Sequence, residues 1–153
     1  MMFLISFLLL AGEVTKVLII SQILLSSKTN ENTCQIKLRP GWHVPSYNEM
    51  SVLVNFLGGE AVAEGKLKET GTTHWQSPNS GATNESGFTG LPGSFRNSMG
   101  YFACCVGYSG YWWTSTLAGT QPWWLDIEYS GADAFLMYPT TKTMGVNVRC
   151  IKD

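Results

Sequence analysis

Residues capable of acid–base, nucleophilic or metal chemistry are few in this chain and widely spaced. The two histidines, His43 and His74, have no further ligand at zinc-site spacing, and no C-x-x-C pair occurs. The G-x-S-x-G, Walker A, Rossmann and H-E-x-x-H motifs are absent. Asp126 and Glu128 share one face of a candidate strand about 7 Å apart, a spacing that suits a cation or a water as well as catalysis. The sequence therefore predicts no enzyme activity, no metal and no cofactor.

The cysteines raise the question of a disulfide bond. The chain has four cysteines, Cys34, Cys104, Cys105 and Cys150, and these can form two disulfide bonds in three different ways. Adjacent Cys104 and Cys105 cannot easily bridge each other, because neighbouring side chains of a strand point to opposite faces. A bond between Cys34 and Cys150, at the two ends of the folded part, is the favoured pairing if the chain is exported.

Aromatic side chains are concentrated in one stretch of 22 residues, which contains Tyr108, Tyr111, Trp112, Trp113, Trp123, Trp124 and Tyr129. In a strand, one member of each tryptophan doublet faces the core and the other faces away. Two interpretations follow, namely core packing or an aromatic platform for a sugar ring or a peptide. For the second, the candidate ligand-binding residues are Trp113, Trp123, Tyr111, Tyr108 and Tyr129. Trp113 and Trp123 are preferred as the exposed doublet members because they are nearer the turn.

The elements that must position these residues begin with a helix over 47–57. Ser46 and Glu49 form an S-x-x-E capping box. Apolar residues then recur at i, i+3, i+4 and i+7, namely at Met50, Leu53, Val54 and Leu57. Gly58 and Gly59 supply a left-handed stop. A second, short helix is predicted over 61–69, where Gly65 weakens the helical pattern.

A long loop and a set of short strands follow these helices. Residues 70–97 contain five glycines and two prolines, which predicts irregular structure, and loops of such length are often functional. Five short strands are then predicted, over 101–106, 111–116, 123–129, 134–138 and 146–152. Helices first and an antiparallel meander last indicate an α+β domain.

Length and charge limit the remaining classes. The chain has 153 residues, which is room for one ordinary domain. Hydrophobic residues make up 44% and charged residues 14%, so the chain is not of the disordered type. The net charge is −1, and from residue 40 onward nine acids stand against six basic residues. This balance argues against a nucleic-acid partner.

Residues 1–33 differ from the rest and are predicted to be an apolar N-terminal segment and linker. Two apolar runs, 1–11 and 17–25, are separated by Glu13 and Lys16, and neither run alone is long enough to span a bilayer. An export signal or anchor is favoured, and the alternatives are a misassigned start or a buried strand. The expected location is secreted or cell-surface, with membrane contact only through this segment if it is retained.

An ordered series of motifs over residues 34–153 carries a family resemblance. The series contains GWHVPS from Gly41, LGG from Leu57, GKLKE from Gly65, the Gly-rich run 77–96, YWWTST from Tyr111 and VRCIKD from Val148. Together these resemble the Fibrobacter succinogenes major paralogous domain, abundant in surface and secreted bacterial proteins. The G-W-x-[LV]-P-[ST]-x-x-E and V-R-C pieces are also distantly similar to formylglycine-generating enzymes. That resemblance implies a C-type-lectin-like fold with one or two N-terminal helices, a long Gly-rich loop region and short antiparallel strands toward the C-terminus.

This sequence lacks several motifs of the families it resembles, and these differences determine which function is expected. The upstream part of the family domain is replaced by the apolar segment, which suggests a copy truncated at its N-terminal side. The enzyme relatives keep a redox cysteine pair shortly before the V-R-C-like end, and residues 133–147 contain no cysteine. The lectin calcium motif is also absent. The expectation is a non-catalytic recognition or adhesion module that binds carbohydrate or a cell-wall polymer. The alternatives are a structural or degenerate domain and, less favoured, a sulfatase-modifying-factor-like enzyme.

Overall fold

A computed structural model of the protein describes residues 6–8, 17–22, 40–102, 106–131, 133–137 and 144–153. Its side chains are described from residue 40 onward, Met137 excepted. Two helices and seven strands lie within these ranges. In chain order they are β1 (Ser6–Leu8), β2 (Val17–Gln22), β3 (Trp42–His43), α1 (Tyr47–Phe56), α2 (Glu60–Leu67), β4 (Ser109–Ala118), β5 (Gln121–Glu128), β6 (Phe135–Met137) and β7 (Val148–Lys152). The predicted α+β class is confirmed.

The strands form two antiparallel sheets. One has the order β1-β2-β7-β3, in which β7 pairs with β2 through Ile20 and Cys150 and with β3 through Trp42 and Lys152. The other has the order β4-β5-β6. The second sheet and the two helices enclose the hydrophobic core, so one face of this sheet is committed to packing.

The residues predicted to start α1 do so. Ser46 Oγ accepts a hydrogen bond from the Glu49 backbone N–H, and the Ser46 N–H donates to the Glu49 carboxylate at 2.8 Å, which completes the capping box. Met50, Val54 and Leu57 are buried, and Leu53 is half-buried against the same core. The amphipathic helix predicted from local sequence is confirmed.

α2 begins at Glu60 and ends at Leu67, close to the predicted 61–69. Gly65 in its middle has a packing reason. A Cβ added there would lie 2.2 Å from the carbonyl oxygen of Gly81, so the helix touches the backbone of the following loop. The glycine that weakens the helical pattern is therefore what lets the loop dock on α2.

The predicted long loop is also present. No strand or helix longer than a single bridge forms between α2 and β4 within the described residues. Side chains hold the loop in place. The Asn79 amide donates to the carbonyls of Glu69 and Gly71 at 2.9 and 2.6 Å, and the buried Trp75 indole donates to the Gly90 carbonyl at 2.9 Å. These bonds replace the backbone ladder that the segment lacks.

Four of the five predicted strands appear with shifted ends, as β4, β5, β6 and β7. The strand predicted over 101–106 is represented by a single bridge between Phe102 and Arg96, and Val106 lies in a turn. Residues 103–105 lie outside the described residues. Tyr101, Phe102 and Val106 are 70%, 68% and 64% exposed, so their apolar character does not reflect burial in a sheet.

The N-terminal segment is described only over β1 and β2. Elsewhere it lies outside the described residues, so the export signal or anchor stays a prediction. None of the helices that the structure describes has the length and apolar character needed to cross a bilayer.

A histidine joins the start of α1 to the end of β7. His43 Nδ1 lies 2.5 Å from Oδ1 of Asp153, and Nε2 lies 2.8 Å from Oε1 of Glu49. A carboxylate only accepts, so the ring satisfies both partners as an imidazolium that donates from each nitrogen. The hydrogen bond to Glu49, followed by that to Asp153, raises the pKa of His43 above 6.5.

This network predicts a pH dependence of stability. Because the folded-state pKa of His43 is raised, its contribution is complete below about pH 6.5 and is lost as the pH rises through the folded-state pKa. His43→Gln should therefore lower the urea midpoint more at pH 6 than at pH 9. Asp153→Asn, which removes one negative charge but keeps an acceptor oxygen, should reduce the difference between wild type and His43→Gln. An equal effect of His43→Gln at both pH values would contradict the charged network.

Candidate ligand-binding face

The register of the β4–β5 hairpin decides where the tryptophans point. Trp112 pairs with Leu125, and Trp113 pairs with Trp124. Paired residues share a face, so Trp112 and Leu125 point into the core, where they are 4% and 0% exposed. Trp113 and Trp124 point to the opposite face. The members of each doublet lie on opposite faces, as predicted.

Trp113 and Trp123, the two tryptophans predicted to be exposed, lie on opposite faces of the sheet. Both are half-buried. Trp113 lies on the face away from the core, whereas Trp123 lies on the helix side, with its ring centroid 4.7 Å from that of Tyr47 at the start of α1. A single platform built from Trp113 and Trp123 is therefore not formed.

Four rings come together on the face of β4 and β5 that points away from the helices. Trp113 and Trp124 stack with centroids 5.6 Å apart and planes at 30°. Tyr111 lies 4.9 Å from Trp124, and Phe95 from the long loop lies 5.4 Å from Tyr111. Phe95 arrives there because its neighbour Ser94 bridges to Gly110. We call this set, Phe95, Tyr111, Trp113 and Trp124, the aromatic face.

Polar atoms accompany these rings. Asp126 follows Trp124 by two positions in β5, and so it lies on the same side of the sheet. Its Oδ1 atom and the Nε1 atom of Trp124 are buried and have no hydrogen-bond partner among the described residues. Burial, and secondarily the charge of Glu128, raises the pKa of Asp126 to about 7. One acceptor, on Asp126, and one donor, on Trp124, thus lie buried and unpaired at the aromatic face.

The remaining predicted site residues lie elsewhere. Tyr108 and Tyr129 contact each other edge-to-face, with centroids 5.0 Å apart, at the open end of the hairpin. Tyr108 is 43% exposed, and Tyr129 packs against the core. Of the five predicted aromatic residues, the structure brings only Tyr111 and Trp113 into the aromatic face. Sequence reasoning did not name Phe95, left Trp124 out of the candidate binding residues and considered Asp126 only together with Glu128, because only the strand register and the loop path bring these residues together.

A buried lysine fixes the end of β5 near this face. Lys68 is fully buried, and its ammonium donates to the carbonyls of Glu128 and Gly131 at 2.8 and 2.9 Å. The Glu64 carboxylate lies 3.9 Å away and accepts from the Glu128 backbone N–H. Burial lowers the pKa of Lys68 and raises that of Glu64 to about 7. The pair clamps α2 to the strand that carries Asp126.

A buried arginine holds the long loop to β7. The guanidinium of Arg149 lies 4.0 Å from the centroid of the Phe88 ring and donates to the Phe88 carbonyl. Burial lowers the pKa of Arg149 to about 10. The side chain is 8% exposed, so its role is to hold the loop rather than to meet a ligand.

The predicted disulfide lies mostly outside the described residues, as do Cys34, Cys104 and Cys105. Cys150 has no disulfide partner among the described residues, and burial raises the pKa of its thiol. The pairing of Cys34 with Cys150 stays a prediction. Within the described ranges no three His, Cys, Asp or Glu residues are grouped to hold a metal ion.

Comparison with known families gives a match over most of the chain. The model of the Fibrobacter succinogenes major domain matches residues 28–152. The chain belongs to this family. The match includes both helices, the long loop and the hairpin of the aromatic face, so all of these are parts of the Fibrobacter succinogenes major domain. No curated protein and no solved structure matches the chain. Membership in this family assigns no activity to the chain.

Proposed function

We propose that this Fibrobacter succinogenes major domain is a non-catalytic recognition module, secreted or exposed at the cell surface, that binds carbohydrate or a cell-wall polymer. The observation that carries the proposal is the aromatic face. There the half-buried Trp113 is backed by Trp124 and lies on the same side of the sheet as an unpaired donor and an unpaired acceptor.

The chemistry of a sugar ring fits this combination. One face of a pyranose is lined by C–H groups and stacks on an aromatic ring, while its edge carries hydroxyls that both donate and accept. Trp113 loses little entropy on binding, since a tryptophan has two rotatable bonds and this one is already stacked at 30° on Trp124. Nε1 of Trp124 and Oδ1 of Asp126 provide the complementary polar contacts.

The arrangement of reactive groups supports recognition over catalysis. Both ring nitrogens of His43 are occupied by carboxylates. His74 Nδ1 is 2.7 Å from Oε2 of Glu69 in a solvent-exposed pair. Neither contacts a Ser, Thr or Cys nucleophile in any hydrogen bond found among the described residues. A sulfatase-modifying-factor-like activity has no support from these contacts.

The proposal also includes a C-type-lectin-like fold and an extracellular location. The motif resemblance supports both, and the order of helices, long pinned loop and late strands is compatible with the fold. In such a domain the long-loop side commonly meets ligands. Phe95, from the end of that loop, lies in the aromatic face.

Binding to insoluble polysaccharides tests the function. The purified chain is incubated with cellulose, chitin and peptidoglycan sacculi, and the bound fraction is measured over a range of protein concentrations. Trp113→Ala should weaken binding to the retained polymer by about 30-fold, the effect of losing a central aromatic contact. Leu117→Ala is the matched control, because Leu117 is also in β4, is 57% exposed and lies outside the aromatic face.

Two outcomes would contradict the function. If the wild-type chain binds none of the polymers, the structural alternative, a domain without its own ligand, replaces the proposal. If Leu117→Ala weakens binding as much as Trp113→Ala does, the contact is a nonspecific apolar one. Urea unfolding of each variant tests whether a loss of binding is caused by a loss of folded structure.

A further inference from the structure

Two unpaired polar atoms at the aromatic face, one on Trp124 and one on Asp126, favour a more specific ligand than a neutral sugar. Nε1 of Trp124 is a donor on a side chain that is 8% exposed, and Oδ1 of Asp126 is an acceptor on a carboxylate. Both belong to β5, two residues apart, on one side of the sheet. Buried polar groups are normally paired, so a ligand that brings a donor to Asp126 and an acceptor to Trp124 completes this surface.

Aromatic rings flank the carboxylate. Asp126 pairs with Tyr111 in β4 and with Phe135 in β6, so all three side chains share the same side of the sheet. Phe135 is 46% exposed, which places one of the two rings at the solvent boundary. Aromatic faces attract cations, and a carboxylate forms its strongest hydrogen bonds with charged donors. A carboxylate between two rings is therefore suited to an ammonium group.

The carboxylates beside the aromatic face have no counter-ion among the residues that the structure describes. No Lys, Arg or His among the described residues forms an ion pair with Asp126 or Glu128. The Lys68 ammonium donates to two backbone carbonyls and pairs with Glu64, and Arg149 is buried against Phe88. The strand β5 thus ends in two carboxylates on one side of the sheet, and no basic side chain in the described part of the chain pairs with them.

We propose that the aromatic face selects glycans with a free, protonated amino group. The ammonium binds Asp126 between Tyr111 and Phe135, an oxygen of the sugar accepts from Nε1 of Trp124, and the sugar ring stacks on Trp113. This preference rests on the proposed glycan binding and names its substrate class. It is supported by the raised pKa of Asp126, since a bound cation stabilises the ionised carboxylate that burial disfavours.

Oligomers of β-1,4-linked glucosamine and their fully N-acetylated counterparts test the selection. The two share the same sugar ring and differ at its nitrogen, which is a basic amine in one and a neutral acetamide in the other. Isothermal titration at pH 7 should show binding of the glucosamine oligomer about ten-fold tighter, the value of one charge-assisted hydrogen bond. The difference should disappear in Asp126→Asn. It should persist in Glu60→Gln, which removes a similar charge from α2.

The outcomes separate the amine preference from glycan binding itself. If both oligomers bind equally and both need Trp113, the amine preference is wrong and the recognition function stands. If oligolysine binds as tightly as the glucosamine oligomer while neutral sugars do not bind, or if nothing binds, both proposals are wrong.

Discussion

Replacing Lys68 with methionine is expected to destabilise the domain by about 3–5 kcal/mol, the cost of removing one partner of a buried ion pair. Methionine keeps most of the apolar stem and removes the ammonium. The carbonyls of Glu128 and Gly131 then lose their donor, and Glu64 loses the cation 3.9 Å away. Urea unfolding at pH 7 measures the loss.

The chain contains a matched control for this substitution two residues earlier. Lys66→Met changes the same residue type on α2, but Lys66 is about one-third exposed and lies 3.4 Å from the exposed Glu85. A surface pair of this kind contributes about 0–1 kcal/mol. The double variant Lys68→Met/Glu64→Gln should cost less than the sum of the single changes, because both charges are then removed. Equal losses in Lys66→Met and Lys68→Met would show that the buried ammonium contributes nothing special.

The difference between these two lysines shows where sequence reasoning stops. α1 was predictable because its capping box and apolar stripe are local, and each residue's partner lies within a few positions. In Lys66-Leu67-Lys68, charge alone suggests two exposed lysines. Lys68 is buried because strand β5 and the turn after it bring carbonyls from 60 and 63 residues away. No local pattern contains that information.

The aromatic face was likewise predictable only where a local pattern determines the structure. A period of two required the members of each tryptophan doublet to lie on opposite sides, and they do. The choice between Trp123 and Trp124 depended on the register of β5 against β4, which the pairing of Trp113 with Trp124 sets. In each doublet the residue nearer the turn is the more exposed one, but Trp123 packs on Tyr47 of α1 and so lies on the other side of the sheet from Trp113. Phe95 could be placed only once the path of the long loop was known.

The loop that brings Phe95 to the sheet depends on buried charge. Lys68 holds the end of β5, and Arg149 holds Phe88 in the loop. Both are polar groups whose partners are mainly backbone carbonyls, so they fix irregular chain that has no ladder of its own. Lys68→Met should therefore raise the hydrogen-exchange rates of the β5 amides more than those of the α1 amides. The same rates measured in Lys66→Met serve as the reference.

Alanine at Trp112 and at Trp113 should give opposite results in two measurements. Trp112 is 4% exposed, contacts Phe88 edge-to-face at 5.2 Å, and is packed so closely that a Cβ at Gly110 would lie 2.5 Å from its ring. Trp112→Ala leaves a cavity at the centre of the core and should cost about 3–5 kcal/mol of unfolding free energy.

Trp113 is half-buried, and its ring contact is the stack on Trp124, worth about 0.5–1.5 kcal/mol beyond area burial. Trp113→Ala should therefore lower the urea midpoint much less than Trp112→Ala does, while polysaccharide binding weakens by about 30-fold. Trp112→Ala, assayed at low temperature where it remains folded, should retain binding. If the two variants unfold alike, Trp113 is a core residue and the aromatic face is not a binding surface. If Trp113→Ala is stable and still binds, the ligand contacts another part of the domain.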